Sequence, residues 1–145
     1  MKARHVIPLI VIAVMATLAL AGCELFGFVS IDQRVSNFQA ALNTTDRTTA
    51  YENFHPTLCN DYNAIKNGTY TWSTVFDTSY IPYTLTVTDE SNSSAVLVTA
   101  TGSNGYPTLY LRLNMQTTGI GDYRIVSMDT SATSSSGPWT VGVIH

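Results

Sequence analysis

The sequence predicts an α+β domain in which short N-terminal helices pack on a curved antiparallel β-meander of about four strands. Three observations carry this expectation. Between residues 30 and 68 apolar side chains recur at helical spacing, interrupted by capping and proline signals. From Tyr83 onward they alternate with polar residues at the period of a half-buried strand. The connections between those alternating runs are short and rich in Gly, Asn, Asp and Ser, so successive strands pair antiparallel with one face on the helices.

The chain begins with a positive start, Met1-Lys2-Ala3-Arg4, an apolar run from Val6 to Leu20, and then Leu20-Ala21-Gly22-Cys23. The run fits a signal h-region and is short for a membrane span. Charge, apolar run, small residues and cysteine in this order resemble the lipobox of bacterial lipoprotein signals. The resemblance implies cleavage between Gly22 and Cys23, a diacylglyceryl thioether on Cys23, and often a further acyl chain such as palmitate on the new amino group. Residues 1–22 are then a signal peptide and 23–29 the lipid anchor with its tether. Residues 30–130 form the folded domain, and 131–145 a Ser-rich tail. Two or three acyl chains hold firmly where one is marginal. Glu24 stands where many lipoproteins retained at the inner membrane carry Asp. By resemblance this favours the outer membrane over the inner membrane of a bacterial cell envelope. The tether Glu24-Leu25-Phe26-Gly27-Phe28-Val29 spans at most roughly 20 Å when extended, so the domain stays close to the bilayer. Phe26 and Phe28 either enter the interface or pack on the domain.

Ser30 with Gln33 forms a capping box, and Ile31, Val35, Phe38 and Leu42 follow on one helical stripe while Asp32, Arg34 and Gln39 face water. Asp46 opens a second, shorter helix carrying Ala50, Tyr51 and Phe54, which Pro56 stops. A third helical stretch has Leu58, Tyr62 and Ile65 on one face and Asn67-Gly68 as its exit. Each is too short to be stable alone and must pack on something. Residues 69–76 fit a strand or a short irregular helix, with Tyr70, Trp72 and Phe76 as their apolar members. Strands are then expected over Tyr83–Thr88, Ala95–Ala100, the alternating Leu109, Leu111 and Leu113, and Tyr123–Asp129. Ala132 to Gly137 has the composition of a linker or frayed tail. Trp139, Val141, Val143 and Ile144 are too apolar for a solvated tail, and either add an edge strand or fold back on the helices.

Composition excludes several function classes. Beyond residue 22 there are five basic residues, Arg34, Arg47, Lys66, Arg112 and Arg124, against ten acidic ones, with no basic cluster. Nucleic acid, which needs a positive patch to release counterions, is not an expected partner. With Cys23 given to lipid, Cys59 has no intramolecular partner and reads as a buried, inert thiol. Clustered Cys, His or carboxylate ligands are missing, so no metal and no other cofactor is expected. Gly102, Gly105, Gly119 and Gly121 sit in hairpin turns rather than in a phosphate loop. There is no Gly-x-Ser-x-Gly nucleophile motif.

Phe38-Gln39-Ala40-Ala41-Leu42, followed by Tyr51-Glu52-Asn53-Phe54-His55-Pro56, then Asp77 and Ile81-Pro82-Tyr83 leading into the sheet, and a last strand Asp122-Tyr123-Arg124-Ile125-Val126-Ser127-Met128, resembles the cystatin-like fold. Within that fold it is similar to the nuclear-transport-factor-2-like superfamily, and to its small extracytoplasmic lipoproteins. The likeness covers roughly residues 30–130. It implies a cone between sheet and helices that often holds a ligand, and in some members an Asp, His or Tyr doing isomerase, dehydratase or cyclase chemistry there. Asp129 is the weak catalytic candidate. It alternates with Tyr123, Ile125 and Ser127, so one strand face carries all four, although a strand-ending role for the carboxylate is the plainer reading. His55 and Asp77 are further candidates, His55 reading as a helix-end residue near solvent. Arg112, opposite three leucines, points to solvent.

The expected function is a lipid-anchored cell-envelope module, without catalysis, that binds a small apolar ligand or assembles with a partner protein. The alternative is an isomerase- or dehydratase-type enzyme using a carboxylate in the cone. The expected ligand walls are Leu111, Leu113, Tyr123 and Ile125, closed by Tyr51 and Phe54.

Overall fold

The computed structural model describes residues 27–45 and 47–145. The signal segment, the lipidation site Cys23, Phe26 of the tether and the expected helix start Asp46 lie outside the described residues. Among the described residues no helix is long and apolar enough to cross a membrane.

Helix α1 spans Ile31–Leu42. Ser30 caps it, its Oγ accepting from the Gln33 N–H at 3.2 Å. The Gln33 amide donates to Asn37 at 3.0 Å instead of returning to Ser30, so half of the expected capping box forms. The stripe Ile31, Val35, Phe38 and Leu42 is buried as the spacing predicts. Arg34 and Gln39 depart from expectation. Arg34 is 5 % exposed, and the Gln39 Oε1 accepts the Leu85 N–H at 2.6 Å. Asn43 likewise brackets Tyr83, donating to its carbonyl at 2.8 Å and accepting its N–H at 2.7 Å. The helix thus uses amide side chains to cover the start of an otherwise open sheet edge.

The expected second α-helix is a 3₁₀ helix over Thr48–Asn53, entered through Arg47 in the left-handed region at φ 52°. Two β-branched threonines open it, and at its end Phe54 leaves helical geometry to bridge Ile125. Helix α2 is short, Tyr62–Lys66, and Gly68 at φ 71° ends it. Leu58 does not join its face. Residues 55–58 turn around the His55 ring instead, leaving Leu58 45 % exposed and Cys59 buried. Residues 69–76 resolve as irregular chain with one 3₁₀ turn, Trp72–Thr74.

The sheet has five strands in sequence order, all antiparallel: β1 Thr84–Asp89, β2 Val96–Thr101, β3 Thr108–Thr117, β4 Tyr123–Ser131 and β5 Thr140–Ile144. The fifth comes from the apolar C-terminal segment, which takes the edge-strand option. Ala132–Gly137 is an ordered turn rather than a frayed linker, closed by the Ser134 hydroxyl on the Gly137 carbonyl at 2.7 Å. One sheet face, carrying Val96, Val98, Ala100, Leu111, Leu113, Met115, Ile125, Met128 and Ile144, is buried against Phe38, Phe54, Phe76 and Tyr83.

Strand β4 corrects the expected common face of Tyr123, Ile125, Ser127 and Asp129. The register steps from Asn114 opposite Ser127 to Met115 opposite Ile125, so Val126 is an extra residue. A bulge of this kind shifts the side-chain phase by one. Tyr123 and Ile125 therefore share the inner face with Met115, while Ser127 and Asp129 pair with Asn114 and Arg112 on the outer one. The far edge of β4 is divided at the same place. His55 donates to the Ile125 carbonyl at 2.8 Å and Val29 accepts from Tyr123 at 3.1 Å, whereas β5 pairs with Met128 and Thr130.

Candidate functional site

The residues expected to wall a ligand cone are where strand periodicity puts them, but no open space lies against four of them. Leu111, Leu113, Ile125 and Phe54 have no surface accessible to water. The room between sheet and helices holds aromatic rings in edge contact: Phe38 meets Phe54 at 5.4 Å and Phe76 at 6.2 Å, and Phe76 meets Tyr83 at 5.3 Å. Trp72 leans on Phe38, Phe54 and Phe76. Such pairs add to the area they bury, because the positive ring edge meets the negative face. Tyr51 and Tyr123 are half-buried. Tyr51 packs edge-on against Tyr62 at 5.8 Å, with the Lys66 ammonium 5.6 Å from its ring.

Asp129 is held on the outer face. The Arg112 Nε and Nη2 donate to its Oδ2 at 2.9 and 2.6 Å, and the Gly142 N–H donates to Oδ1 at 2.7 Å. The Trp139 ring lies 4.9 Å from the same guanidinium. The carboxylate joins β3, β4 and β5, with both oxygens engaged by fixed donors. A general base must reach a substrate proton, and this oxygen pair is turned away from the sheet face the helices cover.

The other candidates are also structural. His55 is buried rather than solvent-exposed, and its Nδ1 accepts the Leu58 and Thr57 N–H groups at 3.2 and 3.3 Å. Asp77 is exposed and caps the 3₁₀ turn Thr78–Tyr80. Its Oδ1 accepts the Ser79 N–H at 2.8 Å, and the Ser79 hydrogen bonds hold its carboxyl below the usual range. Cys59 is 4 % exposed, and burial pushes its thiol up to about 11, as an inert core cysteine requires. The hydroxyl of Tyr70 donates to the Val143 carbonyl at 2.6 Å, and burial pushes it up to about 12.

Sequence reasoning missed a buried polar node around Arg34. Its Nε donates to the Tyr123 carbonyl at 2.7 Å, Nη1 to the Glu52 carbonyl at 3.1 Å and to Asn53 Oδ1 at 3.3 Å, and Nη2 to Asp122 Oδ1 at 2.6 Å. Asp122 also accepts from Arg124 at 2.9 Å and Thr118 at 2.7 Å. Burial pushes the Asp122 carboxyl up, but hydrogen bonds from Thr118 and Arg124 and the charges of Arg124 and Arg34 outweigh it and hold it below the ordinary value. A signal was present in the sequence: Ile31, Arg34, Phe38 and Ala41 share a helical face as well as Ile31, Val35, Phe38 and Leu42 do. A cleft of about 290 Å³ lies over this node between α1 and the 3₁₀ helix, with Asn37, Thr44, Thr49 and Glu52 on its walls. Four of the five guanidinium N–H donors beneath it are taken by the Tyr123 and Glu52 carbonyls, Asn53 and Asp122.

Among the described residues no group of three or more His, Cys, Asp or Glu is placed to hold a metal ion. Comparison of the chain with family models, curated proteins and solved structures finds no match.

Proposed function

We propose that this chain is a bacterial lipoprotein, anchored through Cys23 in the cell envelope with the outer membrane favoured, whose domain assembles with a partner protein and carries out no reaction. Helices first and a long antiparallel meander after them support keeping it within the nuclear-transport-factor-2-like, cystatin-like group as a member with a filled cone. The observation that carries the choice of assembly over a small apolar ligand is the packed interior. Leu111, Leu113, Ile125 and Phe54 have no open surface, and Phe38, Trp72 and Phe76 occupy the space a ligand would need. The enzyme alternative loses ground because Asp129 is bound on the outer face by Arg112 and Gly142.

Two measurements test this. Mass analysis of the mature protein should find acylated Cys23 at its N-terminus, and Cys23→Ala should abolish the modification. An unmodified N-terminus elsewhere ends the lipoprotein reading. Lipid-like and aromatic compounds should leave the melting temperature of the protein unchanged. A compound that raises it with saturable concentration dependence restores the ligand reading.

A further inference from the structure

We infer that Ile120 at the β3–β4 turn and Phe28 beside it form a membrane-contacting end of the domain, entering the lipid interface next to the anchor. The inference rests on the lipid-anchor reading above and adds the orientation of the domain on the bilayer.

Ile120 is 83 % exposed and Phe28 48 % exposed. The two are brought together by the backbone. Val29 donates to the Gly121 carbonyl at 2.8 Å and accepts from the Tyr123 N–H at 3.1 Å, so the chain entering α1 is clipped to the hairpin. Phe28 packs over Gly121, where a Cβ would come within 2.3 Å of its ring and φ is +77°. A glycine at that position is what lets the ring lie against the turn.

The length of chain before this point decides what the patch faces. Phe28 is the fifth residue after Cys23, at most about 18 Å from it when the chain is fully extended. With acyl chains on Cys23 buried in hydrocarbon, a tether this short lets Phe28 reach the headgroup layer, about 5–8 Å deep on each side, and keeps the patch the nearest end of the domain to it. The carboxylate nearest the turn does not oppose this, because Asp122 is paired by both Arg34 and Arg124. Tyr106, 69 % exposed, precedes the other end of β3, about 30 Å along a ten-residue strand. An end-on orientation therefore places Ile120 in lipid and Tyr106 in water. A domain lying flat does not separate them.

The test uses the mature lipidated protein in phosphatidylcholine vesicles containing lipids brominated on the upper acyl chain. Ile120→Cys and Tyr106→Cys are each labelled with an environment-sensitive fluorophore. Cys59 is buried and does not compete for the label. The expected result is quenching of the Ile120 label by at least about twofold, as for a side chain at the headgroup–acyl boundary, with the Tyr106 label unaffected. A water-exposed Ile120 label, equal quenching at both positions, or an Ile120 label shielded from water and from brominated lipid alike overturns the inference. The last outcome assigns the patch to a protein contact. Lipidation is checked by mass on the same sample. An acylated protein with an unquenched Ile120 label removes the orientation and leaves the anchor, whereas an unacylated Cys23 removes both.

Discussion

The two faces of the sheet are built from the same strands and the same β-branched and leucine-rich vocabulary, yet one is dry and the other wet. The inner face is a continuous hydrocarbon layer under Phe38, Phe54 and Phe76. The outer face carries cross-strand rows of hydroxyls, Thr84 with Thr101 and Thr108, and Thr86 with Thr99 and Tyr110, and beyond them the Arg112–Asp129 pair. Side-chain phase alone separates the two, so a single extra residue transfers groups between them. Val126 does this within β4. It sends Met128 inward where Ser127 is expected and turns Asp129 out to Arg112. A carboxylate that strand alternation aims at the interior is thereby made a surface staple, and the interior is left without a carboxylate from that strand.

The strongest way to break the contrast is to open the dry face. Phe38→Ala removes a side chain with no exposed surface that touches Phe54, Trp72 and Phe76. It should lower stability by about 3–5 kcal/mol, a large share of what a domain of this size has. Chemical denaturation checks the size of the loss, and a loss under about 1 kcal/mol would mean the interior is loosely filled. A void of this kind can also bind small aromatics such as benzene. Gain of benzene stabilisation in Phe38→Ala, with none in the wild type, would show that side-chain filling alone closes the interior.

The next largest effect is expected where the two faces meet at the base of β4. Arg34→Met keeps the apolar stem but removes the donors to Tyr123, Glu52, Asn53 and Asp122. Breaking a buried pair outright costs about 3–5 kcal/mol. Arg124 still holds Asp122 here, so about 2–3 kcal/mol is expected. The same node gives a pH signature. The folded-state carboxyl of Asp122 lies below its unfolded value, so its contribution is complete above roughly pH 4–5 and is lost as pH falls through the lowered folded value. Asp122→Asn should flatten that acid limb. An unchanged acid limb would mean that other carboxylates set it.

Much of this was legible in the sequence because periodicity reports burial directly. The stripe Ile31, Val35, Phe38 and Leu42 and the alternations of β1, β2 and β3 needed no knowledge of their partners. What was not legible depends on long-range partners. Arg34 reads as a surface residue until the Tyr123 carbonyl and Asp122, far along the chain, arrive beside it. His55 reads as a helix end until it bridges β4. The bulge at Val126 has no local mark such as a glycine, since pairing with β3 on one side and a divided edge on the other creates it. Alternation put Leu111, Leu113, Tyr123 and Ile125 on the sheet face that the helices cover. Whether a face is open or filled depends on how Trp72 and Phe76 in the irregular segment fold over it, and periodicity does not reach such segments.

A smaller effect tests the edge at which the helix meets the sheet. Gln39 lies outside the apolar stripe and by spacing alone should be silent on removal. Its Oε1 instead accepts the Leu85 N–H at 2.6 Å. Gln39→Ala should cost about 1 kcal/mol, the ordinary worth of a hydrogen bond on a half-buried strand that water can partly replace. Faster amide exchange confined to Leu85 would locate the loss. Full silence would mean that the edge is already wet.

The smallest effect belongs to the wet face, and it carries the functional distinction. Asp129→Asn keeps an oxygen that can accept from the Gly142 N–H and deletes only the charge facing Arg112. The Arg112 side chain is 35 % exposed and still stacks on Trp139. A pair open to solvent to this degree is worth about 1 kcal/mol or less, so the melting temperature should fall by a few degrees at most. If Asp129 is a staple, the variant should keep its fold and differ from wild type in nothing but that small shift. If some substrate is turned over by the wild type and the variant loses that activity while remaining folded, the outer face is an active site. The contrast between a filled interior and an inert exterior would then be wrong on its second side.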